Sequence, residues 1–252
     1  MDIKILVAAH KPYWMPDDDV YLPIQVGASG KDSLGWQRDD EGENISAKNP
    51  NYCELTALYW AWKNLDADYI GLCHYRRYFS HNTYTQDPEK KKQAIFRRRD
   101  YESLLKNADA ILPVKRNYYI ETVRSQYEHA HNKNDLAQAE ILLRDMYPKY
   151  QQAFEHVMAQ RQLYITNMFV MKRHNFDDYC GWLFPLLEAI EPRITLMGRN
   201  PYEARAMGFL AERLFNVWLF KQSLRICEAD VVFLERINWL KKGGDFLKRK
   251  FL

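Results

Sequence analysis

The chain has 252 residues, 47% hydrophobic, 14% aromatic and 27% charged, enough for one large domain with a sizeable core. No apolar run approaches the roughly 20 residues of a membrane-spanning helix, and Cys53, Cys73, Cys180 and Cys227 form no CxxC pair, which argues against a zinc site and for a reducing compartment. The net charge of +3 is uneven: residues 236–252 carry six Lys/Arg against one Asp, which leaves −2 on the first 235 residues, so the body does not read as a nucleic-acid binder.

Met1–His10 reads as an opening strand over residues 3–9 rather than an export leader. Ala8 and Ala9 at its end are small enough for a flat base to approach the backbone, with His10 and Lys11 next to it for phosphate. Residues 11–51 are rich in Pro, Gly, Asp and Asn and predict a long irregular segment that lines a pocket, interrupted by Tyr21–Gly27 and Trp36. Asn44, Ser46 and Asn49 offer amides and a hydroxyl, which suit sugar hydroxyls because both groups donate and accept. Helix capping by Asn49 or Asn51 is the structural alternative. Residues 51–64 predict a helix whose face carries Leu55, Leu58, Tyr59 and Trp62, with Glu54 in its first turn.

A strand over 68–74 then runs into His74-Tyr75-Arg76-Arg77-Tyr78-Phe79. Ligands of open α/β folds bind beyond the carboxyl ends of strands. An imidazole and two guanidiniums there suit a phosphorylated substrate, since guanidinium forks pair phosphate oxygens. A solvated basic turn is the plainer reading of the same residues.

Residues 86–107 are charged and then helical, and 110–114 form a strand whose Pro113 predicts an edge or an early stop. Residues 118–160 predict two or three helices. Within them His129, His131 and Asp135 give HxHxxxD, in which His131 and Asp135 share a helix face as a surface pair. Leu163–Met171 predicts a buried strand interrupted by Thr166 and Asn167, and a buried amide there needs partners or a ligand. Helices follow over 176–190 and 202–220, and a last strand over 228–234. In the second of these helices Glu212 lies among Phe209, Leu210 and Leu214, surroundings that raise proton affinity as a general base needs. Strands alternating with helices imply an α/β domain with a mostly parallel sheet. The chain has no GxGxxG and no GxxxxGK[ST] loop.

Pro23-Ile24-Gln25-Val26-Gly27-Ala28, Asn44-Ile45-Ser46, the run from Tyr52 to Asn64, Gly71 to Phe79, Tyr127 with His131 and Asp135, Asn167-Met168-Phe169, Trp182-Leu183-Phe184 and Gly208 to Leu214 together resemble a family of bacterial cell-surface polysaccharide glycosyltransferases. That family was long known only as a domain of unknown function, and some members are galactofuranosyltransferases of capsule and O-antigen assembly. The resemblance spans roughly residues 3 to 235. It implies a single GT-A-like domain over residues 1–235, with a mostly parallel central sheet flanked by helices, and a basic amphipathic tail at 236–252. Many GT-A enzymes hold a divalent metal through a DxD motif after the strand that is here 68–73. This chain has Cys73-His74-Tyr75 instead, so manganese or magnesium is left open, with His74 as the one candidate ligand.

The resemblance leads to an inverting hexosyltransferase that moves a sugar, galactofuranose first, from a UDP-sugar to a hydroxyl of a lipid-linked oligosaccharide. Glu212 and then Glu54 are the candidate bases. His74, Arg76 and Arg77 would hold the diphosphate. Ala9, His10, Gly27 and Asn44 would line the nucleoside end and Asn167 the sugar, with His131 and Trp182 at the acceptor. In the tail Trp239, Leu240, Phe246, Leu247, Phe251 and Leu252 alternate with Lys241, Lys242, Lys248, Arg249 and Lys250, a pattern suited to an anionic membrane surface. The expected location is cytoplasmic, peripheral on the inner face of the plasma membrane, with no nucleic-acid partner. The alternative function is a non-catalytic module that binds an anionic glycan or nucleic acid through His74–Arg77.

Overall fold

The computed structural model describes residues 1–82 and 84–235. The tail at 236–252, with its basic and aromatic residues, lies outside the described residues. The strands are β1 (Ile3–Ala9), β2 (Tyr21–Gln25), β3 (Gln37–Arg38), β4 (Tyr69–His74), β5 (Arg77–Ser80), β6 (Ala110–Pro113), β7 (Arg116–Asn117), β8 (Gln162–Leu163), β9 (Phe169–Lys172) and β10 (Ile226–Phe233). The helices are α1 (Asn49–Tyr52), α2 (Leu55–Asn64), α3 (Pro88–Gln93), α4 (Arg98–Leu105), α5 (Val123–Ala130), α6 (Lys133–Met146), α7 (Gln151–Ala159), α8 (Arg173–Ile190) and α9 (Ala206–Lys221).

The main sheet is mixed, not mostly parallel. Its strands run in the order β3-β2-β1-β4-β5-β10-β6-β9, and β9 also pairs with β4, so the sheet is partly closed. β1, β2, β3 and β4 are mutually parallel, as are β6 and β10. β9 enters antiparallel to β4 and β6, and β5 is antiparallel to β4 and β10. The cause is local: the chain reverses between His74 and Arg77, so β5 turns back on β4 without the crossover that a parallel neighbour requires. Gly71 permits the closure, because a Cβ there would stand 2.8 Å from Val170 Cγ2 and 2.9 Å from the Phe169 carbonyl oxygen.

Side-chain alternation assigns each strand residue to one of two cores. From β1, Leu6 and Ala8 face the helical layer of α2, α5–α9, while Ile3, Ile5, Val7 and Ala9 face the opposite core with Tyr78, Phe79 and Tyr101. Ile70 and Leu72 of β4 face the helical layer, and His74 continues their parity. α9 is buried nearly all round, through Met207, Leu210, Ala211, Leu214, Phe215, Val217 and Trp218, as a helix roofed by other helices must be. Among the described residues no helix is long and apolar enough to cross a membrane.

Other expectations are corrected by tertiary contacts. The segment 11–51 is not irregular throughout: it contains β2 and β3, which pair parallel beyond β1. The helix expected over 51–64 is broken at Cys53, whose φ is +54°, into α1 and α2. The strand expected over 163–171 is two short strands separated by Thr166 and Asn167 at φ +77° and +51°. Pro113 ends β6 early as expected, but β6 lies between β10 and β9 rather than at an edge.

Candidate active site

β1, β2 and β4 end around one cavity of about 340 Å³ on the helical side of the sheet. Its wall takes Ala8 and His10 from the end of β1, Val26 from the end of β2, and His74, Tyr75 and Arg76 from the end of β4. Asn49, Pro50, Cys53 and Glu54 line it from the α1–α2 break, and Pro201 and Arg205 from the approach to α9. A wider depression of about 780 Å³ lies at the opposite ends of β1 and β4. Its two cations are already paired, Arg173 with Asp177 inside it and Lys172 with Asp109 behind it. The smaller cavity is therefore the candidate site, since it holds the position that open α/β sheets use for ligands.

The long loop before it is pinned by Asp39, which is fully buried. Asp39 accepts hydrogen bonds from the Gly27 and Ala28 amides at 2.7 and 2.9 Å, from Ser46 Oγ at 2.5 Å and from Thr56 Oγ1 at 2.6 Å. A buried carboxylate is tolerated only when its lone pairs are taken up in this way. Gly27 adopts φ +60°, and a Cβ would lie 2.5 Å from Asn49 Oδ1, so both the turn and the fit require glycine.

Glu54, Glu212 and His74 converge on one dipeptide. Glu54 is buried and its Oε1 accepts from Asn167 Nδ2 at 2.7 Å. Glu212 Oε1 accepts from the Thr166 amide at 2.8 Å, and its Oε2 pairs with Arg213 at 2.9 Å. His74 Nε2 donates to the Thr166 carbonyl oxygen at 2.8 Å; a carbonyl can only accept, so the proton is on Nε2. Non-glycine residues in the left-handed region cost of order 1–3 kcal/mol each. Asn167 Oδ1 is buried without a hydrogen-bond partner among the described residues, which adds a further cost of about 1–3 kcal/mol.

Burial lowers the pKa of His74, with Glu54 opposing and Arg77 reinforcing the effect. The lowered value favours the neutral ring, which suits His74 to its hydrogen bond with the Thr166 carbonyl. Burial likewise lowers His10, aided by Lys11 and Arg76. Burial raises Glu212 above the ordinary carboxylate value, with Arg213 opposing and Glu54 adding to it. Burial and then Glu54 push the Cys53 thiol up to about 11, and Cys53 Sγ accepts from Arg205 Nε at 3.1 Å. The permanent cations on the cavity wall are Arg76 and Arg205. Arg76 stacks over Tyr75 at 4.8 Å and pairs with Glu235 at 2.8 Å. Arg77 is half-buried over Phe233, and among the described residues it makes no ion pair.

Of the residues singled out in the sequence, His10, Glu54, His74 and Arg76 share this cavity, and Asn167 and Glu212 reach it through hydrogen bonds to Glu54 and through Thr166. Ala9 faces the other core, and alternation gives its place to Ala8. Gly27 is buried on Asp39. Asn44 is exposed, with its amide donating to the Asp40 and Gly42 carbonyls and its oxygen accepting from Ser46 N, so it shapes the loop. Asp135, expected in a surface pair with His131, is buried in a two-point contact with Arg199 at 2.6 and 2.7 Å, and His131 stacks on Phe209 at 4.0 Å. Trp182 is buried against Tyr147 and Tyr150 in the helical layer, outside the cavity wall. Asn49, offered in the sequence for sugar hydroxyls, lies on the cavity wall, whereas sequence reasoning missed Asp39 and gave Arg205 no role. The small and hydroxylated residues around Asp39 were its one available signal.

The residues at the DxD position do not fit a divalent metal. Cys73 faces the opposite core with burial raising its thiol pKa, Tyr75 reaches the wall but packs its ring against Tyr13 and His10, and His74 is left as the one ordinary metal ligand of the three on the cavity. Among the described residues no group of three His, Cys, Asp or Glu side chains could hold a metal ion.

The structure is similar to the apo structure of the bifunctional glycosyltransferase WbbM, with a TM-score of 0.87 and 31% identity over 94% of this chain. The match covers 46% of that chain, so this protein spans about half the length of its structural relative. No curated protein matches. Residues 4–223 match the family described as a domain of unknown function, DUF4422. The chain belongs to the DUF4422 family.

Proposed function

We propose that this chain is a glycosyltransferase of GT-A-like fold that moves a hexose, galactofuranose first, from a UDP-sugar to a hydroxyl of a lipid-linked cell-surface glycan. The observation that carries the reading is the likeness to a glycosyltransferase over nearly the whole chain, joined to a cavity at the carboxyl ends of β1, β2 and β4 with arginines on its wall. Arg76 and Arg205 neutralise the diphosphate as it leaves. Charge neutralisation is what the departing group demands, and preorganised cations supply it. No step runs through a metal.

In the inverting reaction the acceptor hydroxyl attacks the anomeric carbon, its proton passes to a carboxylate, and the bond from that carbon to the diphosphate oxygen breaks. Glu54 stands ahead of Glu212 as the base. Glu54 lines the cavity, and its Oε2 has no hydrogen-bond partner among the described residues. Both oxygens of Glu212 are engaged, one by Thr166 and one by Arg213. The tail at 236–252 is proposed to rest on an anionic membrane, which makes the protein peripheral on the cytoplasmic face.

Thermal unfolding with UDP, GDP and CDP, each with and without manganese, tests the donor, and transfer from UDP-sugars to a lipid-linked acceptor tests the reaction. Stabilisation by UDP without manganese and a glycosylated product are expected. Tight glycan binding with no response to any nucleotide would replace the enzyme with a non-catalytic glycan-binding module.

A further inference from the structure

A third cavity, of about 260 Å³, opens between the loop after β1 and helix α3. Tyr21, Ile95 and Phe96 form its floor, each at most 7% exposed. The floor is fixed, because the Tyr21 hydroxyl donates to the Phe96 carbonyl at 2.7 Å. On the wall stands Trp14, 37% exposed and the one exposed tryptophan among the described residues. Beside it lie Asp17, Gln93 and Arg97, all exposed. Among the described residues the side chains of Asp17 and Gln93 make no hydrogen bond or ion pair, and Arg97 is in no ion pair.

The lining restricts the class of ligand. Asp18 is taken up by the Val20 and Arg98 amides, both at 3.3 Å, and Glu89 by Lys92 at 2.8 Å. The charges left over, Asp17 against Arg97, balance, so neither a phosphate nor a cation is favoured. A neutral sugar suits what remains. Its hydroxyls both donate and accept, and so serve a carboxylate, an amide and a guanidinium alike. Its polarised C–H face suits the negative face of an indole. That face already draws positive charge, with Lys92 Nζ 5.1 Å from the ring centroid.

The cavity is joined to the candidate active site. Trp14 follows Tyr13, whose ring meets that of Tyr75 at 5.0 Å, and Tyr75 lines the cavity at the strand ends. One aromatic ridge therefore runs from the reacting end to this hollow. We propose that the hollow is a subsite for the acceptor glycan, in which a neutral sugar residue away from the growing end rests on Trp14 and is held by Asp17, Gln93 and Arg97. Neither His131 nor Trp182 is part of it. The proposal rests on the glycosyltransferase reading for the glycan's role as acceptor, and adds to it where the chain of sugars lies.

The test compares wild type with Trp14→Ala and Gln93→Ala. Calorimetry measures affinities for UDP, for neutral galactose and glucose tetrasaccharides, and for an oligogalacturonate of equal length. UDP is expected to bind all three proteins within twofold. One neutral tetrasaccharide is expected to bind wild type more tightly than the oligogalacturonate does, and equally well with UDP present in saturation. Its affinity is expected to fall at least tenfold in Trp14→Ala, as truncation of a buried-on-binding tryptophan does, and at least threefold in Gln93→Ala. In transfer assays the acceptor KM of Trp14→Ala is expected to rise at least fivefold with kcat within twofold, a split that general loosening of the fold does not produce. Equal tetrasaccharide affinities across the three proteins, displacement by UDP, preference for the oligogalacturonate, or no tetrasaccharide binding to wild type each overturns the proposal and leaves the glycosyltransferase reading standing. Should Trp14→Ala not fold, Gln93→Ala decides by the same criteria. Absence of UDP binding and of transfer in wild type removes the glycosyltransferase reading itself, and with it the acceptor role of the hollow.

Discussion

Glu54 and Asn167 lie 113 residues apart in sequence and meet at 2.7 Å, the first at the start of α2 and the second in the elbow before β9. The bond holds one carboxylate oxygen; the other has no hydrogen-bond partner among the described residues, and Glu54 lines the cavity. Glu54→Gln keeps an oxygen for the Asn167 amide and abolishes the base. The turnover rate is expected to fall by about 10²- to 10⁴-fold, the usual contribution of a positioned base, with UDP affinity within twofold of wild type. Single-turnover transfer with titration calorimetry reads both; a variant that retains its rate excludes Glu54 as the base.

Arg76 carries a counter-ion that a diphosphate would have to replace. The Arg76–Glu235 pair is about half exposed, and such pairs are worth about 0–1 kcal/mol. Glu235→Gln is therefore expected to raise UDP affinity by up to about fivefold. Arg76→Ala is expected to lower it about tenfold or more, as loss of a charged hydrogen bond of about 1.5–3 kcal/mol implies. Equal UDP affinities across wild type and both variants would place the diphosphate elsewhere.

Asp39→Ala strands three donors in the interior, the Gly27 and Ala28 amides and the Ser46 hydroxyl, while the Thr56 hydroxyl still has the Cys53 carbonyl at 3.1 Å. At about 1–3 kcal/mol for each group that stays dry, with some relaxation, a loss of about 3 kcal/mol or more is expected. For a chain of this size that corresponds to about 6–12 °C in Tm. Asp39→Asn, which keeps one acceptor oxygen, is expected to fall between. Scanning calorimetry of the three proteins checks the order.

Glu212 has its folded-state pKa raised by burial above the ordinary 4.5. A group raised in this way gives its full stabilisation below the unfolded value and loses it as pH climbs through the folded value. Gln at this position does not titrate. The difference Tm(Glu212→Gln) minus Tm(wild type) is therefore expected to grow more positive from pH 4 upward and to level off once the folded carboxyl has ionised. A flat or falling difference across that range contradicts the raised value.

The sequence made the helical layer and the position of the site legible, because both follow from short periods. Leu55, Leu58 and Trp62 mark one face of α2, and the apolar run into His74-Tyr75-Arg76 marks a strand end. It did not reveal the mixed sheet, since nothing local in Phe169–Lys172 says that this strand will run antiparallel between β4 and β6. Asp39 was hidden for the same reason: its donors are up to 17 residues away and meet only after β2 has paired with β1. Ala8 and Ala9 look alike until the parity of β1 is known, and that parity turns Ala8 to the helical side and Ala9 to the opposite core. Asn167 was visible as a polar break in an apolar run, whereas the left-handed backbone that aims it was not.

The main-chain amide of Leu234 bonds the carbonyl of Arg76 at 3.0 Å, one residue before Glu235 pairs with the Arg76 side chain. Leu234 and Glu235 therefore lie at the rim of the site rather than at its back. Each extended residue spans at most about 3.6 Å, so anything that grips the chain shortly after residue 235 is kept close to the mouth. Anchorage there would set the heading of the entrance as well as the address of the molecule, and an acceptor embedded in the same sheet of lipid would find the opening already turned sideways to it.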